Sequence, residues 1–424
     1  MSRSQRVEPG AKAAGTRALG LVGILLIAAG VWAPSPAGAT FSGATNGNVA
    51  LAAICDPTIG QAAYSINPNG SPPPTYSCPG GTAPNYTQST AGGIDSMPYF
   101  DSLGTTLYFS SDRSASGNNP GANGNFAIYQ VAYPPTVSGS PGSQADGASQ
   151  ITFPAASGGT SNDYAPTVSA DGSELTFIRC NSGTTSCALY VQSPVVGGTP
   201  TLVSTAAAVL QPGSTSGEAS RPEIDPADPS RALYVGTDNH IHLVSLASPP
   251  AFTERDLSNE TGIAAGQFDE YPDWNPAGTR VIFDRSHSVY VLDPTAGPAT
   301  ACKLWGSGDP GTEIEPIFAP TDTATSSPST CNPAGNMYVW TRLGGGTNII
   351  LDMGHTVSTP AALVDLTKNK TNNSQTAWQP VPLPAQTPEV HMAALLPAAG
   401  GALLAGAVLL DRLRRRKRPT GNIA

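Results

Sequence analysis

The chain has little charge: Asp, Glu, Lys and Arg make up 12% of its 424 residues, about half the usual share. It has no Cys-x-x-Cys pair, so redox catalysis of the thioredoxin kind and zinc ribbons are unsupported. It has no Gly-x-Ser-x-Gly elbow, no His-Glu-x-x-His and no phosphate-binding loop, and without these strings no catalytic class declares itself. There is also no twin-arginine pair near the start, which favours export of an unfolded chain.

Glycine and proline are plentiful, with 46 and 41 residues, but below the level at which composition argues for disorder. Many tight turns between short strands suit an all-β protein better than a helical one.

Both ends read as addresses rather than fold. Arg3, Arg6, Lys12 and Arg17 precede an apolar run from Ala18 to Ala33, and Pro36-Ala37-Gly38-Ala39 supplies small residues for a signal peptidase. Residues 1–39 are therefore expected to be a signal peptide cut before Thr40, with an uncleaved anchor as the alternative. At the other end Met392 to Leu410 is 19 residues without a charge, close to the ~20 that cross a bilayer. The basic block Arg412, Arg414, Arg415, Arg416, Lys417 and Arg418 follows. Residues 392–411 are expected to span a membrane, 381–391 to link, and 412–424 to form a basic cytoplasmic tail, because positive charge stays inside. Localisation would be the cell membrane, single-pass, with the body outside. Leu396-Pro397-Ala398-Ala399-Gly400 looks a little like a sortase signal but lacks its threonine, and processing of the tail stays open.

Residues 40–391 hold 11 Lys and Arg against 28 Asp and Glu, a net charge of −17. Such a surface repels phosphate backbones, so nucleic acid is a poor partner. All six cysteines, Cys55, Cys78, Cys180, Cys187, Cys302 and Cys331, lie in this part. An even number in an oxidising compartment predicts disulfides. Fifteen pairings exist for six cysteines; the simplest joins sequence neighbours, and Cys180–Cys187 has the best support because a hairpin-like loop lies between them.

A pattern recurs along residues 40–380. An acidic residue comes first, then a proline and a hydrophobic residue, then a polar turn and an apolar strand. The clearest copies are Asp95-Ser-Met-Pro98-Tyr-Phe leading to Leu107-Tyr-Phe, Asp163-Tyr-Ala-Pro166-Thr-Val leading to Leu175-Thr-Phe, and Asp269-Glu-Tyr-Pro272-Asp-Trp leading to Val281-Ile-Phe. Weaker copies start at Glu218 and Glu313, and a sixth at Gln375-Thr-Ala377-Trp. The anchors 98, 166, 222, 272, 316 and 377 step by about 56 residues, a minimal blade of ~40–50 residues plus loops. Proline at a strand start is tolerated, and Asp-Gly or Ala-Gly supplies the positive φ of a tight turn. Four strands per unit make one propeller blade. The truncated sixth unit would be completed by Gly47–Ile54 and Ala63–Gly70, closing the ring without a free edge.

Tyr271-Pro-Asp-Trp-Asn-Pro-Ala-Gly-Thr-Arg-Val-Ile-Phe-Asp-Arg285 and Leu107-Tyr-Phe-Ser-Ser-Asp-Arg113 resemble the repeats of the TolB-like, or WD40-like (PD40), propeller family. The resemblance covers about residues 45–380. It implies an all-β six-bladed propeller of four-stranded antiparallel blades, and it implies little about chemistry, because such propellers serve both as binding modules and as enzyme domains.

The candidate binding residues are the acids before each anchor: Asp95, Asp163, Glu218, Asp269 and Glu313, with Glu270 and Glu315 beside them. Leading residues of innermost strands surround one mouth of a propeller's channel. A ring of carboxylates there would receive a basic polypeptide, or calcium through oxygen ligands; the alternative is that each acid closes its own turn. His240 and His242 alternate on one strand and so share a face, but no third metal ligand is identifiable. No cofactor is expected. The leading function is a non-catalytic extracytoplasmic binding scaffold, anchored in the membrane by its C-terminal helix and engaging a protein or cell-envelope polymer. The rivals are a propeller enzyme, a lyase or glycosidase acting on extracellular glycans, and a purely structural envelope protein.

Overall fold

A computed structural model of the chain describes residues 44–56, 60–66, 93–112, 125–133, 148–154, 161–181, 187–204, 209, 221–246, 254–295, 297–304, 313–319, 337–342, 348–353, 363–365 and 373–382. The expected signal peptide, membrane span and basic tail lie outside them. Among the described residues, no helix is long and apolar enough to cross a membrane.

The strands come in consecutive antiparallel groups. β1 (Ala44–Asp56) and β2 (Gly60–Ile66) lead into β3 (Gly93–Phe100), β4 (Thr106–Ser111), β5 (Ala127–Ala132) and β6 (Ser149–Gln150). A second group is β7 (Ser161–Val168), β8 (Leu175–Asn181), β9 (Cys187–Ser193) and β10 (Thr199–Leu202). The third is β11 (Glu223–Ile224), β12 (Arg231–Val235), β13 (Ile241–Ser245) and β14 (Glu254–Asp256), followed by the one-turn helix α1 (Leu257–Glu260). The fourth is β15 (Asp269–Trp274), β16 (Val281–Arg285), β17 (Val289–Leu292) and β18 (Ala301–Lys303). The fifth is β19 (Glu313–Phe318), β20 (Met337–Arg342), β21 (Asn348–Met353) and β22 (Leu363–Asp365), and β23 (Asn373–Pro382) ends the series.

The second to fifth groups are each a separate four-stranded sheet. These are propeller blades, and the reason is packing. The second strands β4, β12 and β16 are buried on both faces, while the outer β10, β14 and β18 are not. A sheet covered on both faces needs a sheet on either side. Apolar clusters supply that cover between consecutive sheets. Ile128 and Tyr108 pack with Phe177 and Leu175, Ile178 and Leu189 with Ile224 and Tyr234, Leu233 and Ile241 with Trp274 and Phe283, and Ile282 and Val291 with Phe318. Burying side chains of this size contributes about 1.5–3 kcal/mol each.

The expectation of six separate four-stranded blades does not hold. Four stand as separate sheets, and the remaining strands form one seven-stranded sheet in the order β23-β1-β2-β3-β4-β5-β6. The join is a short parallel ladder, Gly60 opposite Gly93 and Gln61 opposite Ile94, where the facing glycines bring no side chains to hold the strands apart. β23, from late in the chain, pairs antiparallel with β1, from early in it, and Ala377 packs with Ala50, Phe100 and Leu107.

Four innermost strands, β3, β7, β15 and β19, carry the same irregularity, which β11 of the third blade lacks. The register shifts between Ser96 and Tyr99, Tyr164 and Thr167, Glu270 and Asp273, and Ile314 and Ile317. The residue before the anchor proline is left-handed in each: Met97, Ala165, Tyr271 and Glu315, with φ of 53°, 55°, 52° and 54°. Side chains other than glycine avoid that region, and each such residue costs about 1–3 kcal/mol. Four matching bulges re-aim the residues beyond the proline. The turns after them behave as expected, with Gly172 and Gly278 at φ 72° and 65°.

Candidate functional site: the axial cavity

Three of the five acids singled out in the sequence are placed in full. Asp95, Asp163 and Asp269 have no exposed surface. Asp163 accepts hydrogen bonds from Arg179 Nε at 2.6 Å and Nη2 at 2.8 Å. Asp269 accepts from Arg285 Nε and Nη2, both at 2.6 Å. Each arginine lies on the facing strand and is flanked by two rings, Phe177 and Tyr190 around Arg179 and Phe283 and Tyr290 around Arg285, at 5.1 to 5.3 Å. Asp163 and Asp269 are therefore each clasped by an arginine. Glu218 lies outside the described residues, and for Glu313 the backbone at the start of β19 is described. Among the cysteines, Cys180 and Cys187 are bridged, with 4.1 Å between their Cα atoms, and Cys302 is also in a disulfide. Cys55 lies in β1, while Cys78 and Cys331 lie outside the described residues.

The bulges bring a different set of groups together. A cavity of about 70 Å³ is lined from five inner strands, including Tyr99, Arg221, Glu223, Asp273, Trp274 and Phe318. Tyr99, Glu223 and Asp273 each follow an anchor proline directly. Arg221 joins strands that are not neighbours: its Nη1 donates to Pro98 O at 2.8 Å and its Nε to Glu223 Oε1 at 2.7 Å, with its guanidinium 5.4 Å from the Tyr99 ring centre. Asp273 accepts from Phe318 N at 2.8 Å, and Trp274 Nε1 donates to Glu223 O at 3.1 Å.

Two acids around one cation in a dry site do not both ionise readily. Burial pushes Glu223 up to about 7, against the pull of Arg221. Burial, and then the charge of Glu223, push Asp273 well above the usual carboxylate range. Burial also raises the Tyr99 hydroxyl, with Glu223 adding to it. A second buried pair sits at the start of the fourth blade, where Glu270 lies opposite Asp284. Burial and then Asp284 raise Glu270 to about 8, and burial raises Asp284 to about 6.

Reading the sequence missed Arg221, Glu223 and Asp273. One signal was available: position +1 after the proline is charged in these two units, Glu223 and Asp273, on strands otherwise apolar beyond the anchor.

No family model matches the chain, and no curated protein matches it. Solved structures share part of the architecture. A nidogen/laminin complex overlaps at a TM-score of 0.46 and 10% identity, over 79% of this chain and 98% of that one. The putative TolB from Agrobacterium tumefaciens overlaps at 0.40 and 11%, over 76% and 88%. An oligogalacturonate lyase in complex with manganese overlaps at 0.41 and 11%, over 73% and 71%. With TM-scores below 0.5, these likenesses carry no weight beside the strand pairing, which by itself makes the chain a β-propeller of four-stranded blades.

Proposed function

We propose that the chain is a non-catalytic binding scaffold. It is a TolB-like propeller whose ring is completed by a sixth unit built from β23, β1 and β2, tethered outside the membrane by residues 392–411. It engages an extracytoplasmic protein or cell-envelope polymer at the channel. The observation that carries this reading is the size and filling of the axial cavity. At about 70 Å³ it is far below the ~300–1,000 Å³ of clefts that enclose small-molecule ligands, and Arg221 spans it. Such a cavity suits the tip of one inserted side chain, with the rest of the partner held by the rim. The net charge of −17 over residues 40–391 favours a basic segment.

A second reading has one observation in its favour: Glu223 and Asp273 are paired acids that burial shifts upward, the direction a glycosidase acid requires.

One experiment separates them. Membranes carrying the full chain, or its Arg221→Met or Glu223→Gln variants, are crosslinked and the bound proteins and polymers identified. Loss of one defined partner by at least tenfold in Arg221→Met, with the circular dichroism spectrum of the folded chain unchanged, supports the scaffold. Equal capture by all three moves the contact to the loops. Turnover of an envelope glycan that Glu223→Gln abolishes establishes the enzyme.

A further inference from the structure

The third blade carries a second cluster, on its outer edge and away from the axis. The β12–β13 turn holds Asp238 and His240; His242 is on β13 and Asp256 at the end of β14. His242 and Asp256 lie directly opposite in the sheet register. Asp238, His240 and Asp256 each offer one ligand atom, all within 4.8 Å of one another. His240 Nδ1 is 2.8 Å from Asp256 Oδ2 and 3.7 Å from Asp238 Oδ2. His242 Nε2 reaches the same Asp238 carboxylate, at 3.1 Å from Oδ1 and 3.2 Å from Oδ2.

We propose that Asp238, His240, His242 and Asp256 form a binding site for a first-row divalent transition-metal ion, with zinc as the reference.

The spacing fits. Ligands about 2.0–2.1 Å from a tetrahedral ion stand about 3.3 Å from one another; the atoms of Asp238, His240 and Asp256 lie within 4.8 Å of one another, and His242 adjoins this set through the Asp238 carboxylate at 3.1 Å. The donor set fits as well: two imidazole nitrogens with two carboxylates is a zinc-class combination, whereas calcium takes oxygen alone.

The surroundings are those of a supported site. Metal-bound histidines usually have a carboxylate at the other ring nitrogen. His242 is only 9% exposed, and its Nδ1 lies 2.8 Å from Glu254 Oε1 without a directed hydrogen bond. Tyr234 Oη donates to that same Oε1 at 2.8 Å, and its ring stacks on His242 with centroids 5.1 Å apart. Asp256 is also oriented, because its Oδ1 caps α1 by accepting from Asn259 N at 2.8 Å, leaving Oδ2 for the cluster. Gly236 keeps the space open: a Cβ there would collide with Asp238 Oδ1 and lie 2.8 Å from His242 Nε2. Asp238 and Asp256 are part-exposed, so the ion has a path in. Once bound it would clamp the β12–β13 turn to β14 at the rim of the blade, independently of the channel.

The test uses the full chain, stripped with chelator and dialysed against zinc. One zinc per chain is expected, with an X-ray absorption spectrum showing imidazole and oxygen ligands at about 2.0–2.1 Å. His240→Asn with His242→Asn should weaken retention at least tenfold. Asp256→Asn, which keeps the helix cap, should weaken it too while leaving the circular dichroism spectrum unchanged, so that loss of metal is not mistaken for loss of fold. His287→Ala, outside the cluster, should retain zinc fully. A wild-type chain that retains no zinc, equal retention by the cluster variants, or a spectrum without imidazole would each overturn the proposal.

Discussion

The second and fourth blades use their charges alike, and the third does not. In the second and fourth, an aspartate at the head of the inner strand meets an arginine sixteen residues later, between two aromatic rings. In the third, β11 shrinks to Glu223–Ile224, and the described charges go elsewhere. Arg221 and Glu223 enter the axial cavity, Asp225 pairs with Arg231 at the far end of the strand pair, and Asp238 and Asp256 gather histidines at the rim. In the second and fourth blades the leading aspartate is used to hold the sheet together, whereas both candidate sites draw residues from the third, degenerate unit, joined in the cavity by Asp273 of the fourth.

The sharpest way to break this comparison is to break a clasp. Arg285 and Asp269 are 7% and 0% exposed, so Arg285→Met leaves a buried carboxylate without its partner, which costs about 3–5 kcal/mol. Urea unfolding should show that loss. A change under about 1 kcal/mol, the range of an exposed pair, would mean that the clasp is not what holds the inner strand.

The next effect is a pH dependence. The folded-state values of Glu223, about 7, and Glu270, about 8, lie above the ordinary glutamate value of about 4.3. The folded chain therefore binds more protons than the unfolded chain between these limits. Stability from these groups is fully present below about pH 4.3 and is lost as pH rises through 7 to 8. Glu270→Gln should flatten that decline by an amount on the order of 5 kcal/mol at about pH 8.5. A stability curve that rises over pH 5–8, or one that Glu270→Gln leaves unchanged, would contradict the assignment.

The disulfide gives a smaller effect. Cys180–Cys187 closes a short loop, and its removal as Cys180→Ala with Cys187→Ala should cost about 2 kcal/mol. A non-reducing peptide map should show the link intact in the wild type.

The blade architecture was legible because it is written in local signals: prolines at strand starts, glycines at turns, and β-branched and aromatic strands at a steady interval. The bridge between Cys180 and Cys187 was legible because a hairpin separates them. The parallel join at Gly60 and Gly93 was not, since two glycines in separate strands carry no pairing code. Nor was the aim of the acids. The bulges at Ala165 and Tyr271 shift the register between the aspartate and the residue after the proline, and it is Asp273 that lines the cavity. A period-2 argument cannot anticipate a left-handed residue that is not glycine. His240 and His242 lacked a third ligand in the sequence because Asp256 comes from the next strand and is placed by register alone.

A second arginine tests the comparison from the other side. Arg231 pairs with Asp225 as Arg285 does with Asp269, but Arg231 is 27% exposed. Asp225 also has partners besides the arginine: its Oδ1 accepts from Ala227 N at 2.8 Å and Asp228 N at 3.3 Å. Asp225 is as buried as Asp269, at 0% exposed, but removing the arginine leaves it two backbone amides, so Arg231→Met should cost about 2 kcal/mol, part of it from the lost approach to the Trp274 ring at 5.4 Å. Unfolded side by side, Arg231→Met should therefore be the milder of the two arginine variants. If Arg231→Met proves as damaging as Arg285→Met, the backbone amides on Asp225 do not stand in for its arginine, and the charges of the third blade are as structural as the rest.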